Sequence, residues 1–164
     1  MSRDLVGHPA LQARRRAPAP RAFPLLASLY PPLLGSGIRI RHIAPDWTRG
    51  ELSMHVAPWT ANTNGTAFGG ALFAATDVLY GALLSGQLGG GYQVWTKSAT
   101  IDFRAPGRGR LRCVVDVPGP EADAIRERLN DHPSTSVVHT AVVSDSRGTT
   151  VVEAQHTMFI RRKS

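Results

Sequence analysis

The stretch NTNGTAFGGALFAATDVLYGALL, residues 62–84, decides how the rest of the chain must fold. It opens as a polar turn, passes through Gly69-Gly70, and continues as an almost wholly apolar helix predicted over about residues 70–85. Apolar side chains occupy every face of that helix rather than one stripe, so other elements have to surround it. Asp77 sits in its middle and is the only Asp, Glu, Lys or Arg between Glu51 and Lys97. A carboxylate withdrawn from water is costly unless it is hydrogen-bonded, so a lone one in such a helix points to a chemical role. The glycines leave the first helical amides open to close approach. Those amides have no intrahelical partner and lie at the positive end of the helix dipole. The stretch thus offers an anion-accepting end and a buried acid or base, the pairing that acyl transfer requires.

Working outward, residues 38–43 (IRIRHI) and 51–57 (ELSMHVA) alternate apolar and polar residues and read as a hairpin across Pro45-Asp46. Residues 58–66 are a loop with turn chemistry. On the other side, Gly86 and Gly89-Gly90-Gly91 stop the helix. A long strand follows over 93–104, then a turn at Pro106-Gly107-Arg108-Gly109 and a return strand over 110–117. A short amphipathic helix lies within 118–133, between proline stops. Strands at 136–144 and 149–162 flank a turn at 145–148. Consecutive strands with short turns imply antiparallel pairing, and one helix against such a sheet is an α+β layer. Upstream, the apolar block at 23–35 (FPLLASLYPPLLG) predicts a short helix and a turn packed on the main body. Residues 1–22, rich in Pro, Ala and Arg, predict a disordered basic arm, leaving 23–164 as a single domain.

A chain of 164 residues suits one domain with a real core. The single cysteine, Cys113, rules out an intramolecular disulfide and sits in an apolar strand, as a core residue would. His42, His55, His132, His139 and His156 lack ligand spacing, so no metal is expected. No run of 18 uninterrupted apolar residues suggests a membrane span, and the start carries no signal-peptide pattern, which predicts a cytoplasmic protein. The net charge of +7 gathers in tails, with Arg3, Arg14, Arg15, Arg16 and Arg21 at one end and Arg161, Arg162 and Lys163 at the other. Solvated termini explain this better than a binding face, so neither nucleic acid nor membrane is an expected partner.

The element order and the residues Asn62, Gly65-Thr66, Phe68-Gly69-Gly70 and Asp77 resemble the hotdog fold, specifically small acyl-coenzyme A thioesterases related to phenylacetate-pathway enzymes. Ile101-Asp102-Phe103-Arg104-Ala105-Pro106-Gly107 and Glu153-Ala154-Gln155-His156-Thr157 extend the resemblance over roughly residues 37–162. Phe68 stands where that family has a histidine supporting the loop. The chain is thus similar to a branch that keeps the glycines and the acid without the histidine. The resemblance implies a curved antiparallel sheet wrapped around one long central helix. It also implies hydrolysis of coenzyme A or carrier-bound acyl thioesters, with no cofactor beyond that substrate. In this reading the Gly69 amide polarises the carbonyl, Asn62 is a second donor, Asp77 is general base or nucleophile, and Thr96 helps hold the attacking water. Gly70 shares the helix start. Phe68, Phe73 and Tyr80 are candidates for an acyl tunnel or for plain core. Arg104, Arg108 and Arg110 are candidates to grip coenzyme A phosphates or to form an exposed charged hairpin.

Helix geometry adds a constraint. At ~1.5 Å per residue, Asp77 lies roughly 10–12 Å along the axis from the Gly69-Gly70 end. Base and oxyanion donor must both lie within about 3 Å of the reacting centre. Two antiparallel copies satisfy this, which predicts a homodimer, or a homotetramer built from it, with composite sites. The alternatives are a non-catalytic domain that binds or senses acyl thioesters and, ranked last for want of a histidine in the helix, a dehydratase.

Overall fold

The computed structural model describes residues 19–163, so most of the arm expected over 1–22 lies outside the described residues. The long helix α3, Gly69–Leu88, runs three residues past its expected end. Gly86 does not stop it. A Cβ there would stand 2.1 Å from Trp47 Cδ2, so this glycine makes room for the indole. The helix ends at Gly89 (φ 83), whose amide donates to the Ser85 carbonyl. Glycine accepts that backbone conformation without strain. Ala71, Leu72, Ala75, Leu79, Leu83 and Leu84 are all buried along α3. Among the described helices it alone is long and apolar enough to cross a bilayer, and here it is the core helix.

Six strands wrap it: β1 (Ile38–Ile43), β2 (Arg49–His55), β3 (Tyr92–Phe103), β4 (Arg110–Asp116), β5 (Ser134–Asp145) and β6 (Thr150–Arg162). They form one antiparallel sheet in the order β1-β2-β4-β5-β6-β3. The hairpins β1–β2 and β5–β6 are as expected. The turn after β3 is not a hairpin: β3 pairs with β6, while β4 lies between β2 and β5. That connection has to span two strands, and it does so pinned to the core. Gly107 is packed against Leu111, Val151 and Ala67, and its carbonyl accepts the Ala67 amide at 2.9 Å. The inward residues Ile38, Ile40, Leu52, Met54, Leu111, Cys113, Met158 and Ile160 close on α3. Burial pushes the Cys113 thiol up to about 12, consistent with a core residue.

The two edges of the sheet differ. At β1, helix α1 (Phe23–Ser28) covers the edge: the Ile40 amide donates to Ser28 Oγ at 2.9 Å, and the Phe23 ring meets Trp47 edge-on at 5.4 Å. A short helix α2 (Pro31–Gly35) follows and buries Leu33. The expectation that the whole 23–35 block packs inward is overturned, because Leu25, Leu26, Leu29, Tyr30 and Leu34 face outward. At the other edge, β3 has no further strand among the described residues, and much of it is exposed. Helix α4 (Gly119–Asp131) is the expected insert. It buries Ala122, Ile125 and Leu129, and its Glu121 carboxylate accepts a short hydrogen bond from the Tyr80 hydroxyl.

Gly86→Ala should destabilise the fold by about 1–2 kcal/mol net, because the clash with Trp47 outweighs the helix propensity gained. Denaturant unfolding checks this. The cost should shrink in a Trp47→Ala background, and equal costs in both backgrounds would disprove the contact.

Candidate functional site

The site has two halves on α3. At its start, Asn62 organises the preceding loop. Its Oδ1 accepts from the amides of Asn64 (2.9 Å) and Thr66 (3.1 Å), while Nδ2 donates to Thr66 Oγ1 at 2.9 Å. This is turn-building of the kind asparagine favours, and it leaves one Nδ2 hydrogen for a ligand. Phe68 is the N-cap, extended and without a side-chain cap. Among the described residues, the Gly69 and Gly70 amides find no acceptor. The Phe68 ring folds back over Gly70, where a Cβ would stand 2.5 Å from Phe68 Cε1. A Cβ on Gly69 would meet Phe103 at 3.3 Å. Two exposed rings therefore flank the free amides.

An open cleft of about 580 Å³ lies beside this start, lined by Asn62, Thr66, Gly69, Leu72, Phe103, Arg104 and Arg108. Arg108 Nη1 donates to the Gly65 carbonyl at 2.9 Å, and Arg104 pairs with Asp102 at 3.3 Å. Arg110 does not line the cleft. It opens β4 opposite His55, beyond the turn.

The second half centres on Asp77. Thr96 Oγ1, on edge strand β3, donates to Asp77 Oδ1 at 2.5 Å. The Asp77 side chain is not buried as expected: one chain leaves it 40% exposed. Asp77 comes eight residues after Gly69, about 12 Å along the helix, and does not line the cleft.

Sequence reasoning missed His156, which is 1% exposed. Its Nε2 lies 3.1 Å from Thr76 Oγ1, and its Nδ1 lies 3.5 Å from Asp77 Oδ1. The Thr76 hydroxyl also donates to the Phe73 carbonyl at 2.7 Å. Burial lowers the His156 pKa and Asp77 partly opposes that, and the His156 Nδ1 faces the Asp77 carboxylate. A signal was present: His156 interrupts the inward face Ala154, Met158 and Ile160 at period two. Cross-strand from it, His139 stacks on Tyr80 at 4.0 Å, and burial, then His156, pushes its pKa down to about 4. Tyr80 is buried core, its pKa raised by burial and by Glu121, whereas Phe73 reaches the surface beside His156.

Residues 21–160 match the family described as Domain of unknown function (DUF4442). The chain belongs to the DUF4442 family. None of the curated proteins matches this DUF4442 chain. Among solved structures, it is similar to PA5026 from Pseudomonas aeruginosa, described as a "Probable Thioesterase", at TM-score 0.80 and 20% identity, covering 87% of this chain and 95% of that one. It is also similar to thioesterase HI1161 from Haemophilus influenzae (TM-score 0.64, 14% identity, 87% and 90% covered). A third is the E. coli PaaI protein from the phenylacetic acid degradation operon (TM-score 0.61, 18% identity, 85% and 89% covered). At these identities the likeness shows the fold: this DUF4442 protein is a hotdog protein, its curved sheet wrapped around α3.

The buried histidines set a pH dependence. His139 has a folded pKa of about 4, below the ordinary 6.5, so the unfolded chain takes up that proton first. Its contribution to stability is complete above about pH 6.5 and is lost as pH falls toward 4. Melting temperatures from pH 7 to 4.5 should therefore fall less in His139→Phe, which keeps the stack on Tyr80, than in the unaltered protein. Parallel curves would refute the assignment.

Proposed function

We propose that this protein hydrolyses acyl thioesters at composite sites formed by two copies of the chain. The observation that carries the reading is the Thr96–Asp77 hydrogen bond, which holds a half-exposed carboxylate at the open edge of the sheet. A base facing outward at an edge strand suits a site completed from outside the chain. The free Gly69 and Gly70 amides lie about 12 Å away along α3, which supports pairing each helix start with the partner's Asp77. The exposed backbone edge of β3 is the surface such a pairing would use.

In this mechanism the thioester carbonyl oxygen accepts from the Gly69 amide, with the spare Asn62 Nδ2 hydrogen as a second donor. These donors stabilise the negative charge that develops on that oxygen. Arg104 and Arg108, at the same cleft, would meet the phosphates of a coenzyme A carrier. As general base, Asp77 takes a proton from water as its oxygen bonds to the carbonyl carbon. The carbon–sulfur bond then breaks, and that proton goes to the departing thiolate. As nucleophile, Asp77 would attack the carbonyl carbon and break the carbon–sulfur bond, forming a mixed anhydride and releasing the thiolate. Water then hydrolyses the anhydride to the acid, freeing the Asp77 carboxylate, and the proton released goes to the thiolate. Thr96 orients the carboxylate on either route. Phe73, beside His156 at the surface, is placed to meet an acyl group, whereas the buried Tyr80 is not.

Phe68 favours a second reading, a non-catalytic acyl-thioester binder, because it puts an apolar ring at the helix start. Hydrolysis of a panel of acyl- and aroyl-coenzyme A substrates separates the two. Catalysis predicts turnover of one class and a loss of about a hundredfold or more in Asp77→Ala with the assembly intact. Absence of turnover, with acyl-coenzyme A raising the melting temperature of both proteins, would sink the hydrolase and support the binder.

A further inference from the structure

The proposed site leaves one feature of the molecule unused. Leu25, Leu26, Leu29, Tyr30 and Leu34 are between 49% and 67% exposed, on consecutive short helices at the β1 end of the sheet. These helices are not loose. Ser28 accepts from the β1 edge, Phe23 packs on Trp47 and Leu33 is buried, so the inward side is fixed and the leucines are held outward. Leu25 with Leu29, and Leu26 with Tyr30, are one helical turn apart. Isolated exposed leucines need no explanation, but five large apolar residues within ten positions do.

The charges flanking them in sequence are of one sign. Six arginines and no Asp or Glu lie between Asp4 and Asp46: Arg14, Arg15, Arg16, Arg21, Arg39 and Arg41. Arg21 and Arg39, which flank the two helices in sequence, are exposed. A second copy of this chain would bring the same cations against themselves, so charge argues against self-association through this face. An anionic surface that accepts apolar side chains satisfies both features. We infer that α1 and α2, with the exposed Arg21 and Arg39 that flank them in sequence, form a peripheral docking surface for a bilayer rich in anionic lipid. Leu25, Leu26, Leu29 and Leu34 enter the acyl boundary, Tyr30 lies at the headgroup level, and the arginines pair with headgroup phosphates. Apolar insertion and flanking cations together give the two signals that stable yet reversible attachment requires. This revises the expectation that no membrane is a partner. It stands independently of the catalytic proposal, since the patch lies at the sheet edge opposite β3.

The test is flotation of the full chain with phosphatidylcholine vesicles, with and without phosphatidylglycerol, beside the Leu25→Ser/Leu29→Ser/Leu34→Ser variant. These positions are exposed, so the variant should keep its melting temperature. The expected result is binding only to vesicles containing phosphatidylglycerol, weakened by salt, and reduced at least about tenfold in the variant. No flotation above the phosphatidylcholine baseline would overturn the inference. So would equal binding by the variant, which would assign attachment to charge alone. A fall in assembly mass in the variant without vesicle binding would overturn it in favour of a second copy.

Discussion

A helix that is apolar on every face cannot rest on a flat surface, and that constraint governs this molecule. Leu72, Leu79, Leu83 and Leu84 of α3 all have to leave water, so the sheet must curl until it surrounds them. The strand order follows, with β4, β5 and β6 forming the middle and the long β3 closing against β6. Space at the centre is scarce enough that Gly86 and Gly107 are set by what lies against them rather than by backbone conformation.

The same wrapping makes Asp77 distinctive. Its own chain gives it the Thr96 hydroxyl on one side and the His156 imidazole at 3.5 Å on another, then leaves the rest of the carboxylate open. The unpartnered amides at the helix start are similarly exposed, and they are too far off to serve the same substrate from one chain. One incomplete half-site at the start of the helix and another at its middle, beside an open strand edge, are what a two-fold assembly would complete.

Much of this was legible in the sequence, for identifiable reasons. Alternation marked β1 and β2, because one face of each meets the core, and β5 and β6 were marked by the turn between them. The apolar run with a single acid marked both the helix and its candidate functional residue. Failures occurred where a local signal met a distant partner. Pro106-Gly107-Arg108-Gly109 has the composition of a hairpin turn, yet β3 finds its partner in β6, some fifty residues later in the chain. His156 looked like one scattered histidine because Asp77 and Thr76 lie far upstream. Asp77 was expected to be buried because its neighbours are, but exposure depends on what covers the helix face, and one chain does not cover it. The 23–35 block was expected inside by hydropathy alone, whereas Ser28 on the β1 edge and Phe23 on Trp47 turn its leucines outward.

The central claim, that each site draws its oxyanion donor from one chain and its base from another, is tested most directly by mixing two inactive variants. Gly69→Pro removes the amide at the first helical position, where proline is tolerated, and Phe68 already has the extended backbone that must precede it. Asp77→Ala removes the base. Each variant alone should be nearly inactive in thioester hydrolysis. After subunit exchange, half of the dimers should be mixed and each should hold one intact site, restoring about a quarter of the unaltered activity. If the mixture stays as inactive as its components after exchange is verified, both groups act within one chain and the composite site is wrong.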